Sequence, residues 1–72
     1  MVARVIAHTA DCPGGNCPTT YGHPRLPTGI SVVQGYRVTD PVILADLNIP
    51  EGEDVVAVPD LLLVDHAREV QA

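Results

Sequence analysis

The chain reads as a small α+β domain: a three-stranded, mostly antiparallel sheet with two short helices and an irregular metal-stapled loop. Three observations predict it. Runs rich in β-branched residues at 2–7, 30–38 and 54–58 have strand composition. Asp40-Pro41 and Pro59-Asp60 carry helix-start signals ahead of apolar stretches. Between the first two strands lies a segment dense in Pro and Gly, residues 8–29, which holds both cysteines and two of the three histidines.

In chain order, the first strand ends at Ala7, where the cysteine segment begins. That segment is longer than most loops of compact domains and calls for an internal organiser. The second strand places Val32, Val33, Tyr36 and Val38 around Gly35, a residue that marks a bulge. Thr39 or Asp40 can cap a helix with Pro41 at its first position, running to Asn48 and stopped by Pro50. Glu51-Gly52-Glu53 is a turn, and Val55-Val56-Ala57-Val58 has no polar face, which predicts a strand buried on both sides. A last helix from Leu61 to Gln71 puts Leu63, Ala67 and Val70 on one face, with Asp65, Arg68 and Glu69 largely on the other. Leu61-Leu62-Leu63-Val64 is broader than one stripe, so this helix either sits deep or offers a dimer face.

His8, Cys12, Cys17 and His23 are spaced H-x3-C-x4-C-x5-H. Two thiolates and two imidazoles can close a tetrahedral zinc shell, and Asp11 is a substitute should one histidine drop out. The intervening Pro13-Gly14-Gly15-Asn16 and Pro18 to Gly22 are turn formers that let a backbone double back around an ion. The spacing is not a standard finger, and a Cys12–Cys17 disulfide or two free thiols are the competing readings. Taken singly, His8 is a strand-end residue and His23 a loop residue before Pro24.

At 72 residues the chain forms one domain, 1–72, near the size where a single core is marginal. Apolar residues make up 46%, yet Phe and Trp are absent and Tyr21 and Tyr36 are the only aromatics, so the core is built of small branched side chains that a partner chain can complete. Neither a signal peptide nor a run of about 18 apolar residues is visible, which points to the cytoplasm and away from membranes. A reducing compartment favours metal ligation over a bridge, so Zn2+ in a structural role is the expected cofactor.

Charge divides unevenly. Residues 1–37 hold Arg4, Arg25 and Arg37 against Asp11, whereas residues 38–72 hold eight acids against Arg68. A net charge of −5 argues against an autonomous nucleic-acid binder, because phosphate neutralisation supplies most non-specific affinity. An acidic surface fits solubility or a basic protein partner. Enzyme readings fare poorly. Cys17 with His23 lacks an orienting group and a pocket, Asp65-His66 are helix neighbours pointing about 100° apart, and Gly14-Gly15 lacks the helix and lysine of a phosphate loop.

Gly35-Tyr36-Arg37-Val38-Thr39-Asp40, followed by Ile43, Leu47, Asn48-Ile49, Glu51-Gly52-Glu53 and Val55, resembles the swapped-hairpin half-domain of the AbrB and MazE family over residues 35–58. That resemblance implies interleaved dimers that bind DNA. Asp40 stands where the family has proline, and the basic positions of its helix are here Pro41, Val42 and Leu44, which favours the dimer over the DNA. The whole chain is also similar to small cysteine-containing proteins of high-GC Gram-positive bacteria, through Cys17-Pro18-Thr19-Thr20-Tyr21 and Val33-Gln34-Gly35-Tyr36-Arg37-Val38-Thr39-Asp40. Such proteins accompany helix-turn-helix regulators, which implies an accessory regulatory role.

The sequence therefore predicts a non-enzymatic, zinc-stabilised regulatory module, homodimeric and accessory to a transcriptional regulator. Arg37, Leu61, Leu62 and Val64 are the expected partner-binding residues. The rival expectation is a direct DNA-binding swapped-hairpin regulator or antitoxin.

Overall fold

A computed structural model describes residues 2–10, Cys12 and residues 17–72. Its elements are β1 (Arg4–His8), β2 (Thr19–Gly22), β3 (Val32–Gln34), β4 (Tyr36–Arg37), α1 (Pro41–Asp46), β5 (Val56–Ala57) and α2 (Asp60–Gln71). They make an α+β fold with a three-stranded antiparallel sheet, order β1-β2-β3, and a separate antiparallel pair, β4-β5.

The expected second strand is thus divided at Gly35 into β3 and β4, which join different sheets, and the third strand of the main sheet is β2, drawn from the segment expected to be irregular. Thr19-Thr20-Tyr21 supplies the β-branched and aromatic side chains a central strand favours. A Cβ at position 35 would come within 2.6 Å of Val58 Cγ1 and 2.8 Å of the Ala57 carbonyl oxygen. The chain crosses between sheets where only glycine lets its backbone lie against β5.

β1 and β2 pair Val5 with Tyr21 and Ala7 with Thr20, leaving a bulge around Ile6. There the Ala7 N–H donates to Thr20 Oγ1 at 3.1 Å. His66 of α2 meets the same hydroxyl oxygen through Nδ1 at 2.8 Å, and Thr20 is wholly buried. Thr20 therefore satisfies an amide at the bulge and ties α2 to the sheet. α2 packs across β1 and β2, and Leu62 and Ala7 form the buried apolar centre between them.

Asp40 is the helix cap of the two candidates: its Oδ1 accepts from the Val42 N–H at 2.9 Å, and Pro41 follows. α1 ends two residues earlier than expected and buries none of its residues. The 50–53 turn forms with Glu53 N–H donating to Pro50 O and Gly52 at φ 90°. No helix of the described residues is long and apolar enough to cross a membrane.

Candidate interaction surface

The expected zinc knuckle is overturned. Cys12 and Cys17 form a disulfide, with Cα atoms 6.3 Å apart, and no cluster of three or more His, Cys, Asp or Glu among the described residues could hold a metal. Hairpin geometry supplies the reason. Antiparallel pairing sets His8 opposite Thr19, whereas His23 follows Gly22 at the other end of β2. Four residues of strand separate the two levels, roughly 13 Å along the backbone, more than two imidazoles meeting tetrahedrally at one ion would bridge. His8 Nδ1 instead lies 3.3 Å from Thr9 O, and His23 Nδ1 accepts from the Arg25 N–H at 3.0 Å. Asp11 and the turn formers Pro13 to Asn16 lie outside the described residues.

The bridge replaces the metal as the staple of the β1–β2 connection. Thr9 donates to Pro18 O through both its N–H, at 3.1 Å, and its hydroxyl, at 2.7 Å. Cys17 O accepts from Thr19 Oγ1 at 2.8 Å and from Gln34 Nε2 at 3.3 Å, which ties the base of the connection to β3. A six-residue ring of this kind is worth about 2 kcal/mol in the loop-entropy description. With Cys17 in the bridge, the Cys17–His23 pair offers no free thiolate.

The strongest functional signal is apolar surface. Between residues 36 and 58 no side chain is buried. Tyr36, Val42, Ile43, Leu47 and Val56 are all exposed there, Tyr36 by 62% and Val42 by 69%. The strand expected to be buried on both sides therefore has neither face covered within one chain, since Val56 and Ala57 are exposed and Val55 and Val58 only half-buried. Five acids, Asp40, Asp46, Glu51, Glu53 and Asp54, share this segment with Arg37.

Of the expected partner-binding residues, Arg37 is exposed on β4, and Leu61 and Val64 are exposed on α2, Leu61 by 73%. Leu62 points the other way, into the core, and Leu63 joins Leu61 and Val64 on the surface. Two features went unread in the sequence. His66, next to Asp65 of the polar helix face, is half-buried against Thr20. Arg4, a charge on an exposed strand in the sequence, lines a cleft together with His23 and Glu69. Nothing local in either sequence neighbourhood encodes these contacts, which arise only when α2 docks on the hairpin.

Whole-chain dimensions give the same message. A folded protein of 7.6 kDa is expected to expose about 4300 Å², and this chain exposes 5827 Å². Its radius of gyration is 13.6 Å, against about 11 Å for a compact chain of this length.

Fold and surface thus define a small, disulfide-stapled α+β module in which the 36–58 segment buries none of its side chains. Comparison with protein-family models, with curated proteins and with solved structures yields no match.

Proposed function

We propose that this chain is a small regulatory interaction module that works as a homodimer, with the 36–58 segments of two copies covering each other. One observation carries the reading: no side chain between residues 36 and 58 is buried, in a chain that exposes roughly 1500 Å² more than a compact monomer of its mass. Covering about half of that excess on each of two copies would remove roughly 1500 Å², the size of a standard protein interface. The exposed residues of that segment are large and apolar, as the centre of such an interface requires.

On α2, Leu61, Leu63 and Val64 then remain for a further protein partner, and the acid-rich second half suits a basic one. A helix-turn-helix regulator is the partner the family resemblance implies, and the role is non-enzymatic. We place the module in the cytoplasm. Thiols there are held reduced, so the Cys12–Cys17 bridge forms under oxidation.

Native mass spectrometry at micromolar concentration tests the central claim. Two copies are expected, and Ile43→Asp with Val56→Asp should yield single chains. A wild-type protein that stays monomeric and melts cooperatively would remove the proposal.

The second reading, a DNA-binding regulator, is supported by the exposure of Arg37 on β4, which a two-fold axis would double. The five acids of the same segment oppose it. DNA binding should weaken steeply with salt and further with Arg37→Ala. Absence of binding at low salt rejects it.

A further inference from the structure

A cleft of about 1060 Å³ opens between β1, the 23–31 loop and the last turns of α2, and no residue of the proposed dimer segment, 36–58, lines it. We infer that it is a binding site for a small amphipathic monocarboxylate, an organic acid with an apolar body.

Arg4 supplies the anion contact. Its guanidinium lies over Gly22, where a Cβ would sit 3.0 Å from Nη2 and 3.6 Å from Cζ. The lack of a side chain at 22 is what allows the group to rest on the backbone there. Among the described residues the single ion pair is Arg68–Asp65 at 3.9 Å, so Arg4 pairs with no carboxylate of the described chain. A guanidinium beside Gly22, with no carboxylate of the described residues paired to it, keeps N–H donors free to take a carboxylate in bidentate fashion.

His23, next in sequence to Gly22, adds a neutral donor. Its Nδ1 lone pair is occupied by the Arg25 N–H at 3.0 Å, so the neutral ring carries its proton on Nε2. The two donors thus stand at the same end of β2, and both residues line the cleft.

The remaining lining sets the ligand's class. Val5, Leu26, Ile30 and Val70 give it an apolar floor that suits a hydrocarbon body. Glu69 lines it from α2 and offsets the charge of Arg4. A single carboxylate placed on Arg4 with its body along the apolar floor satisfies both, whereas a dianion such as phosphate would set its second charge against the Glu69 side of the cleft. The cleft has ample room for an eight-carbon acid, so the apolar lining and not the volume sets the class of ligand.

Isothermal titration of the full chain with octanoate, 1-octanol, octylamine and inorganic phosphate tests this. Octanoate is expected to bind saturably, once per chain, and at least ten times more tightly than 1-octanol, with octylamine and phosphate weaker still. Arg4→Gln, at an exposed position, should weaken octanoate at least tenfold while leaving the thermal midpoint of the free protein unchanged. Equal affinity for octanoate and octanol, unaltered octanoate binding in the folded Arg4→Gln variant, or absence of saturable octanoate binding each overturns the site. Because the dimer face lies elsewhere, failure here leaves the mass-spectrometric result untouched.

Discussion

The two halves of this chain have similar apolar content and opposite outcomes. In the first sheet with α2, strand, helix and bulge converge on Thr20, Ala7 and Leu62, and every buried residue of the described chain belongs to it. In the β4–α1–β5 half, Val, Ile and Leu are as plentiful, yet nothing is buried. Composition supplies apolar surface, and only a second layer turns it into a core. The first half has that layer in α2, whereas the second half is a two-stranded ribbon and a helix of six residues with nothing opposite.

Substitution at the centre of each half should break this contrast most sharply. Leu62→Ala removes the largest buried side chain and should cost about 2–5 kcal/mol by thermal or denaturant unfolding. Val42→Ala, at an exposed position of α1, should change the stability of a single chain by less than about 0.5 kcal/mol. Under the proposed dimer it weakens association instead, which appears as a shift of the melting midpoint with protein concentration. A large, concentration-independent loss in Val42→Ala would show that the second half is buried within its own chain.

Thr20→Val sharpens the account of the first half. Valine keeps the shape and β-propensity but removes the acceptor of the Ala7 N–H and the contact of His66. An amide left unsatisfied in the core should cost about 1–3 kcal/mol. His66→Ala should cost less, since the hydroxyl still accepts from Ala7. Equal losses would place the weight of the pin on the helix contact and not on the bulge.

Local signals served the helices well and the sheet less so. Asp40-Pro41 and Pro59-Asp60 mark the true helix starts, because capping and proline geometry act within a few residues. The turn at Gly52 and the short loop before α2 were equally legible. β2 is hidden in the sequence because Thr19 to Gly22 lies between two prolines and within the cysteine spacing, a setting rich in turn formers. Its strand character depends on two neighbours drawn from residues 4–8 and 32–34. The zinc reading failed for a related reason. Four ligand-type residues within 16 positions look close in sequence, and pairing of β1 with β2 carries the two histidines to opposite ends of a hairpin. Of the expected surface residues, Leu61 and Val64 could be separated from Leu62 only once the docked face of α2 was fixed.

A change at the helix cap discriminates most for the β4–α1–β5 segment. Asp40→Ala removes the acceptor that holds the Val42 N–H at the start of α1, a loss of about 1 kcal/mol per helix. In an isolated chain, where α1 buries nothing, that loss only frays a short helix and lowers the far-ultraviolet circular dichroism slightly. Two copies that cover each other through this segment must restore both helices on association. The cost then becomes about 2 kcal/mol per dimer, or roughly a 30-fold weaker dissociation constant. Sedimentation equilibrium over a range of loading concentrations reads that constant directly. A helix that frays while self-association stays unchanged would place α1 outside the interface and leave β4 and β5 as the only surfaces of that half able to pair.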